Sequence, residues 1–504
     1  MSGFEIAITT LTTTPAILFA MLGVAWGIIG GALPGISASI TMALLLPFTF
    51  GMDPTMAIIM LASTYVGAEY GGSIPAILIR TPGTSAAVTT AIEGYQMHRQ
   101  GKGDEALGIS LICGTIGGLI GMILLVMLME PLTHISLLFS APAYFALGIF
   151  GISVLSSLSE GSVVKGFLAA LIGVAISTIG LDPLSGLSRY TFNNVHLLGG
   201  IEPVLVMIGV FAITEMMVQA GEPDWAKTAT RLRIKLPSLK LWKRLWFPTT
   251  LGSGLGGVEG VIPGAGATVA SFLAYNEARR WSKKPEEFGH GSPEGVAAPE
   301  AANNTVAATA LVPTLAFGIP GSGSMAVLLG GLILHGLEPG PLLIEKNPEF
   351  VYGLFGGLFV ANFSQIMLGF LLLPPCIWLV NQKKGYLAAG VFALVFSGIY
   401  SINSSVFDLV IVLATGALGY LMKLGGFPLL PMVLGLVLGS MIERNYRRAV
   451  ELSYGDNSIF FQDTTAAVLI TLAVLFFVGS TVSEIRKNRR ARAEASNLSS
   501  SQTR

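Results

Sequence analysis

The sequence has few charged residues. Asp, Glu, Lys and Arg make up only 12% of its 504 residues, whereas a soluble globular protein carries about 25%. The 29 basic and 29 acidic residues give a net charge of +0, so the chain lacks the basic field that attracts nucleic acid. This composition excludes a cytosolic enzyme, a secreted domain and a nucleic-acid-binding protein.

Cysteine and the common catalytic motifs are also scarce. Cys113 and Cys376 both lie in apolar stretches, where we expect small residues that face lipid or the protein core rather than a disulfide framework or a zinc site. None of the five histidines begins an HExxH motif, and GxxxxGK[ST] does not occur. We therefore predict no enzyme activity and no cofactor. The first twenty residues lack the basic region of a signal peptide, so the first apolar segment should remain as a helix.

Long uncharged segments dominate the chain instead. No charged side chain occurs at 6–52, 106–129, 301–337, 350–382 or 464–483. Because a helix needs about 20 mostly apolar residues to cross a bilayer, the fold class is an all-α polytopic membrane protein. We expect about twelve transmembrane helices plus broken or re-entrant hairpins. Helices are predicted near 15–31, 38–50, 55–78, 107–129, 135–157, 163–181, 203–220, 248–276, 304–318, 325–337, 351–380, 385–400, 404–422, 428–442 and 464–482.

Motifs of the first half recur in the second half in the same order. Gly31-x2-Pro34-Gly35 returns 229 residues later as Gly260-x2-Pro263-Gly264, and Pro75-x6-Pro82-Gly83 returns 238 residues later as Pro313-x6-Pro320-Gly321. Looser matches relate 165–170 to 384–389, and Pro203 with Glu215 to Pro431 with Glu443. We predict an internal duplication, with a first membrane repeat at 1–220, a basic cytoplasmic linker at 221–247, a second repeat at 248–443, a periplasmic loop and final transmembrane helix at 444–483, and a basic cytoplasmic tail at 484–504.

The distribution of basic residues predicts the orientation. Segments 221–247 and 484–504 are basic and should be cytoplasmic, as should the basic loop at 279–298. The equivalent of that loop in the first half carries only Asp53. Since equivalent loops prefer opposite sides, the repeats should have inverted topology, with a periplasmic N-terminus and a cytoplasmic C-terminus. Arg444, Arg447 and Arg448 then face outward, against the rule.

Paired Pro-Gly breaks are the candidate functional sites. Proline and glycine interrupt a helix, and interrupted backbone survives at membrane depth only inside protein or beside a wet cavity. A helix N-terminus binds a carboxylate through free N–H groups, and hydroxyls add donors. The candidate substrate-binding residues are Pro34, Gly35, Ser37, Ser39, Thr81, Pro82, Gly83, Thr84, Ser85, Pro263, Gly264, Gly266, Thr268, Pro320, Gly321, Ser322 and Ser324. The alternative is that these are kinks and small-residue helix contacts.

Ionisable residues within apolar stretches suggest function by default. Arg80 is a further candidate substrate ligand, through a two-pronged hydrogen bond to a carboxylate; alternatively it neutralises Glu69 or Glu93. Asp182, Asp408 and Lys423 are expected at membrane interfaces.

A polar cluster opens the 301–337 run. Asn303 and Asn304 adjoin the candidate substrate site, and together with Glu300 they are the candidate ligands of a coupling ion. Glu300 alternatively caps the helix that follows.

The same motifs resemble a known family. The stretches that carry the resemblance are 31–37 (GALPGIS), 46–52 (LPFTFGM), 65–74 (YVGAEYGGSI), 81–83 (TPG), 294–304 (EGVAAPEAANN) and 317–322 (FGIPGS). Over about 30–440 the chain is similar to the large membrane subunit of the bacterial tripartite tricarboxylate transporters, TctA. Glu69 and Arg80 depart from mostly neutral residues in such proteins and would tune substrate choice.

The resemblance implies a function. Such proteins lie in the bacterial inner membrane, surrounded by lipid, and import tri- and dicarboxylates or related organic acids. They work with a small four-helix membrane subunit and a periplasmic solute-binding protein. A Na+ or H+ gradient drives transport, with Na+ held at the same loops, and an elevator-type transport domain moves against a scaffold. The alternatives are a passive anion channel and a membrane-embedded enzyme or assembly scaffold. The particular carboxylate, the coupling ion and the oligomeric state stay open.

Overall fold

A computed structural model describes residues 3–158, 162–182, 185–221, 232–262, 264 and 266–502. The structure is 79% helical, and among the described residues there is one antiparallel pair of two-residue strands, β1 (Gly180–Leu181) and β2 (Ser188–Arg189). The chain forms two compact units. Unit 1 comprises Met1–Leu138 and Val204–Tyr420, and unit 2 comprises Phe139–Pro203 and Leu421–Arg504.

The described residues of the first half form ten α-helices. These are α1 (Gly3–Thr12), α2 (Thr14–Gly31), α3 (Ala38–Leu45), α4 (Pro54–Ile79), α5 (Ala87–Arg99), α6 (Gly103–Leu137), α7 (Ala141–Leu158), α8 (Val163–Ser177), α9 (Pro203–Ile208) and α10 (Thr214–Ala220). Short 3-10 turns follow α3 at Leu46–Thr49 and precede α9 at Val195–Leu197. A π-helical segment, Gly209–Ile213, joins α9 to α10.

Twelve α-helices are formed by the part of the second half that the structure describes. These are α11 (Leu239–Val261), α12 (Gly266–Trp281), α13 (Glu294–Thr309), α14 (Leu311–Phe317), α15 (Gly323–Leu334), α16 (Leu343–Lys346), α17 (Pro348–Val380), α18 (Lys384–Asn403), α19 (Val406–Leu424), α20 (Leu429–Leu452), α21 (Ile459–Gln462) and α22 (Thr464–Gln502). A 3-10 turn at Pro285–Glu287 lies between α12 and α13.

The described helices confirm a multi-pass membrane protein. Seven are long and apolar enough to cross a bilayer: Thr14–Gly31, Gly103–Leu137, Pro203–Ala220, Pro348–Val380, Lys384–Asn403, Val406–Leu424 and Thr464–Arg486. The expected twelve crossings stay a prediction. Helix α4 has 26 residues but is not among the seven, because glycine, serine and threonine lower its mean hydropathy. It is almost wholly buried in unit 1. A helix surrounded by protein needs no lipid-facing apolar side.

Rows of glycine hold two helix pairs of unit 1 together at close range. On α2, the glycines that face backbone atoms of α4 are Gly23, Gly27 and Gly31. On α11, the glycines that face α13 are Gly252, Gly256 and Gly260. Small residues at every fourth position allow two helices to approach until their backbones touch. The two rows are separated by the same 229 residues as the first recurring motif.

The buried helices α4 and α14 end in the same way. Arg80 closes α4 with a left-handed φ of 59°, and Gly318 closes α14 with a φ of 71°. Glycine is the usual residue at such a position, because a side chain strains the left-handed conformation. After these residues, Thr81 N donates to Pro75 O at 3.3 Å and Ile319 N donates to Pro313 O at 3.4 Å. The second recurring motif therefore has a left-handed helix end and the same backbone hydrogen bond in both copies.

Unit 2 is organised around α20. Helices α7 and α8 pack on α20, and α22 packs on α7. Asp182, which precedes β2, accepts from Arg447 at 2.9 and 3.1 Å, and Glu443 accepts from Arg189 at 2.6 Å. Arg447 also pairs with Glu443 one turn earlier on α20.

Several helix boundaries differ from the predictions. The helix predicted at 135–157 is present as α7, but its predicted start is wrong, because α6 continues to Leu137 and α7 begins at Ala141. The helix predicted from 304 begins ten residues earlier, at Glu294. Its polar first turns are buried, so they contact other protein segments rather than water. Residues 444–452, expected in a loop, continue α20. The short helix α1 was not predicted.

Candidate functional site

Four chain segments carry the predicted substrate-binding residues. They are bend 1 (34–39), bend 2 (81–85), bend 3 (263–268) and bend 4 (320–324), and all belong to unit 1. Pro263 and Ala265 of bend 3 lie outside the described residues. The positive φ angles of Gly35 (79°) and Gly264 (94°) show the same turn in bends 1 and 3, as expected for glycine after proline.

Hydroxyl contacts connect the bends in pairs. Ser39 Oγ of bend 1 lies 3.3 Å from Ser324 Oγ of bend 4. Thr268 Oγ1 of bend 3 donates to Ser85 Oγ of bend 2 at 2.9 Å. Each pair joins one bend from each half of the chain, at sequence separations of 285 and 183 residues.

Backbone contacts complete the junction. Gly264 N of bend 3 donates to Gly321 O of bend 4 at 3.1 Å, and Gly83 N of bend 2 donates to Gly72 O of α4 at 3.0 Å. A Cβ atom added at Gly83 would lie 1.8 Å from Gly31 O, at the end of α2 just before bend 1. The four bends therefore lie side by side in unit 1.

Two helices begin at this junction with a serine cap. Ser37 caps α3 and accepts from Ile40 N at 3.4 Å, and Ser322 caps α15 and accepts from Met325 N at 3.2 Å. Both serines are half-buried. A capped helix start still presents free N–H groups and a partial positive charge, so both helix starts suit an anion.

The remaining candidates differ in exposure. Half-buried candidates are Ser39, Thr81, Pro82, Gly264, Gly266 and Thr268. Buried candidates are Pro34, Gly83, Thr84, Pro320, Gly321, Ser324, Asn303 and Asn304, and Gly35, Arg80 and Ser85 are exposed. The junction thus has both a solvent-reachable side and a buried side.

Glu300 is fully buried and accepts three hydroxyl hydrogen bonds. Ser73 Oγ of α4 donates to Oε1 at 2.6 Å, Thr90 Oγ1 of α5 donates to the same oxygen, and Ser110 Oγ of α6 donates to Oε2 at 2.9 Å. Glu300 lies inside α13, so it does not cap that helix. Its carboxyl group joins four helices instead, and both of its oxygens already have donors.

The neighbouring polar side chains are less satisfied. Asn304 Nδ2 donates to Glu300 O at 3.0 Å, but its Oδ1 has no hydrogen-bond partner among the described residues. The same holds for both amide atoms of Asn303 and for Oε2 of Glu69, which is only 4% exposed. Buried polar atoms rarely lack a hydrogen-bond partner in proteins.

Arg80 does not neutralise either predicted acid. Its side chain is exposed, and no ion pair with Glu69 or Glu93 is present among the described residues. Arg80 lies at the left-handed end of α4, where the helix leaves its buried segment. Its role as a substrate ligand stays a prediction.

Glu93 has a structural role that the sequence did not reveal. Its carboxylate accepts from Tyr275 OH at 2.7 Å and from the backbone N–H groups of Gly289, Gly291 (2.7 Å) and Ser292 (2.8 Å). The segment that leads into α13 is therefore fixed to α5. No sequence pattern predicts this partnership, because the donors are mainly backbone groups.

We expect Glu93→Gln to destabilise unit 1 by about 3 kcal/mol, because an amide nitrogen would replace one acceptor oxygen and leave buried N–H donors unpaired. Thermal unfolding in detergent measures the change. Glu277→Gln is the matched control, since Glu277 is half-exposed and pairs only at the surface with Trp281 and Arg280. It should cost less than about 1 kcal/mol. Equal losses in the two variants would contradict the assigned role of Glu93.

Ion pairs fix the polar loop between α12 and α13. Arg244 Nε donates to Glu294 Oε1 at 2.6 Å, and Arg244 Nη2 donates to Glu287 Oε2 at 2.5 Å. The Lys284 ammonium, which donates to Glu287 at 2.7 Å, and the Arg244 guanidinium hold the pKa of the Glu287 carboxyl below its usual value. A cavity of about 930 Å³ lies beside this cluster, lined by Lys240, Lys243 and Lys283 among others.

Sequence reasoning also missed the residues behind bend 1. Gln219 Nε2 of α10 donates to Pro34 O at 3.4 Å and to Glu215 Oε1 at 3.0 Å. A Cβ atom at Gly35 would lie 2.2 Å from Gln219 Nε2. The only sequence signal was the weak match of Pro203 and Glu215 with Pro431 and Glu443.

Comparison with known proteins identifies the family. The model of the tripartite tricarboxylate transporter TctA family matches residues 17–434. The chain belongs to the TctA family. This is a family of transporters and not of enzymes, so the prediction that the chain is no enzyme is confirmed. The chain is a membrane subunit of the tripartite tricarboxylate transporter type.

Two curated relatives come from Agrobacterium vitis. The "uncharacterized 52.8 kDa protein in TAR-I ttuC' 3'region" is 37% identical over 488 residues, covering 97% of this chain and 96% of the relative. The "uncharacterized protein in TAR-II ttuC' 3'region" is 36% identical over 234 residues, covering 46% of this chain and 97% of the relative. No solved structure matches the chain.

Proposed function

We propose that this TctA-family chain imports small carboxylates, such as tri- and dicarboxylates or related organic acids, across a bacterial inner membrane. A Na+ or H+ gradient drives the import. One observation carries the proposal: the four interrupted segments, far apart in sequence, are joined in unit 1 through Ser39 and Ser324, Ser85 and Thr268, and Gly264 and Gly321. Interrupted helices at a repeat interface are the usual binding site of secondary transporters.

The junction offers binding groups for an anion. The starts of α3 and α15 supply free N–H groups beside the hydroxyls of Ser37 and Ser322. Both serines are half-buried, so an anion bound there would lose only part of its hydration shell. No buried cation is needed for this mode of binding, because the helix ends carry the complementary partial charge.

The proposal includes two inverted repeats and an elevator-type transport domain. Three features support the duplication: the glycine rows on α2 and α11, the left-handed helix ends at Arg80 and Gly318, and the equal turns at Gly35 and Gly264. Inverted repeats would allow the junction to open alternately to each side of the membrane.

The proposed partners are a small four-helix membrane subunit and a periplasmic solute-binding protein. The TctA family is described as tripartite, which supports two further components. In the proposed orientation the N-terminus is periplasmic and the C-terminus cytoplasmic. Arg279 and Arg280 in the last turn of α12, with Lys283 and Lys284 in the loop that follows, support a cytoplasmic position for that loop.

Reconstituted uptake tests the proposal. The chain, the small subunit and the binding protein would be placed in and around proteoliposomes and offered a panel of radiolabelled tri- and dicarboxylates. We expect accumulation of at least one carboxylate only when the binding protein and an inward Na+ or H+ gradient are both present. An ionophore that collapses the gradient should abolish the accumulation.

The controls separate the rival functions. Uptake that needs neither gradient nor binding protein would indicate a passive channel and contradict the proposal. Chemical conversion of the carboxylate would indicate an enzyme, and accumulation driven by ATP alone would remove the gradient mechanism.

A further inference from the structure

A basic cavity lies at the end of the α11–α12 pair that is remote from bend 3. The start of α11 and the end of α12 line this cavity, which has a volume of about 930 Å³. Pockets for small ligands measure about 300–1,000 Å³. From Phe247, which lines the cavity, to Val261 at its end, α11 rises about 20 Å. The cavity is therefore separate from the four bends.

Positive charge is in surplus at this cavity. Arg244 and Lys284 are already paired, because Arg244 Nε donates to Glu294 Oε1 at 2.6 Å and Lys284 Nζ donates to Glu287 Oε1 at 2.7 Å. The other lining carboxylate is that of Glu105. Three further lysines line the cavity and have no ion pair within the described part of the chain: Lys240, Lys243 and Lys283. Three ammonium groups near one carboxylate attract an anion.

The rest of the cavity wall is apolar and continues onto the outside of the helix pair. Phe247 and Trp281 line the cavity and are 51% and 61% exposed. Exposed apolar residues then follow both helices toward bend 3, namely Val258 on α11 and Val269, Phe272 and Leu273 on α12. Tryptophan concentrates where a bilayer meets water, and lysine and arginine lie at the same border. The cavity therefore has the composition expected at the level of lipid headgroups.

We infer that this cavity binds the phosphate headgroup of an anionic phospholipid. Lysine binds phosphate as a point charge, and basic pockets between transmembrane helices hold phospholipid headgroups in this way. The acyl chains lie along the exposed apolar residues of α11 and α12. A soluble phosphate offers the same charge to the lysines, but it leaves that apolar surface uncovered, so the continuous surface favours a lipid.

The bound lipid would join the open end of the helix pair. Lys243 belongs to α11 and Lys283 follows α12, and both line the same cavity. One phosphate held by both lysines connects the two helices that carry bend 3 between them. This role goes beyond carboxylate import and does not depend on which substrate the chain carries.

Thermal unfolding of the delipidated full-length chain in a non-ionic detergent tests the site. Phosphatidylglycerol, phosphatidylcholine or inorganic phosphate is titrated into separate samples at constant ionic strength. The unfolding midpoint should rise with phosphatidylglycerol, because a ligand that binds only the folded state stabilises it. Phosphatidylcholine, which has no net charge, and inorganic phosphate, which has no acyl chain, should both have much smaller effects.

The variant Lys240→Gln with Lys243→Gln locates the binding. Each lysine near an anionic lipid contributes about fivefold in affinity, so the double variant should need at least about tenfold more phosphatidylglycerol for the same rise. Both lysines are exposed, so the variant should fold normally. Lys346→Gln with Lys383→Gln is the matched control, because these lysines are also exposed and lie outside the cavity. It removes the same charge and should keep the full response.

Four results would overturn the inference. An equal rise with phosphatidylcholine would show that the headgroup is not recognised, and an equal rise with inorganic phosphate would identify a soluble anion as the ligand. An unchanged phosphatidylglycerol response in the cavity variant would place the binding elsewhere, and a wild type without any response would remove the site. Since no carboxylate is present, these results leave the uptake proposal untouched.

Discussion

We expect that replacing Ser322 with tryptophan abolishes carboxylate uptake while the protein remains inserted in the membrane. Ser322 is the half-buried cap of α15, and Tyr65 of α4 lies against it. An indole ring at this point fills the space in front of the helix start and excludes the anion. A misplacement of about 1 Å at a reacting or binding centre costs about a hundredfold in rate, so uptake should fall by at least that factor.

Stability should change much less than uptake. Loss of a serine cap costs about 1 kcal/mol, and the apolar segment that inserts α15 is unchanged. Initial rates of uptake in proteoliposomes and the amount of protein in the membrane fraction measure the two effects. Ser37→Trp, at the equivalent start of α3 in bend 1, should behave in the same way.

Ser238→Trp provides the matched control. Ser238 caps α11 and accepts from Leu241 N at 3.3 Å, but it is exposed and lies outside the four bends. It loses the same kind of cap, so uptake should stay close to that of the wild type. Ser322→Thr keeps the capping oxygen and should retain much of the activity. Unchanged uptake in both Ser37→Trp and Ser322→Trp would remove the site assignment.

Gly83→Ala should push bend 2 away from the end of α2. The added Cβ would lie 1.8 Å from Gly31 O and 2.8 Å from Gly72 Cα, and both are backbone atoms that no rotamer change can move. Overpacking of this kind costs about 1–3 kcal/mol, and here the strain falls on the contact between bend 2 and the end of α2. We expect lower thermal stability together with a strong loss of uptake.

Gly254→Ala is the corresponding control. Gly254 lies inside α11, and a Cβ atom there would meet nothing within 4 Å. Alanine is favoured over glycine in a helix by about 0.5–1 kcal/mol, so this variant should be slightly more stable and transport normally. If both glycine variants changed stability by the same amount, the close approach of bend 2 to α2 would be wrong.

Local features of the chain were predicted well. The uncharged segments indicated membrane helices, and seven described helices are long and apolar enough to cross a bilayer. The Pro-Gly pairs indicated breaks, and Gly35 and Gly264 have the left-handed φ angles that such breaks require. These predictions succeeded because hydropathy and backbone freedom depend on a residue and its immediate neighbours.

Helix boundaries in polar segments were predicted poorly. The segment from Glu294 to Asn304 is polar enough to suggest a loop, yet it forms the start of α13 and is wholly buried. Its polar groups are stabilised by other helices, as Ser110 of α6 does for Glu300. A polar residue in a helix of unknown surroundings does not reveal whether water or protein satisfies it.

By itself, the sequence determined the membrane class, the places where helices break and the family to which the chain belongs. Only the tertiary structure decided that the four bends meet, that Glu300 has three hydroxyl donors, and that Glu93 fixes the chain before α13. The physical reason is that these contacts join residues up to 285 positions apart. Hydroxyl and carboxyl groups in apolar helices have no periodic pattern that indicates which helix they will contact.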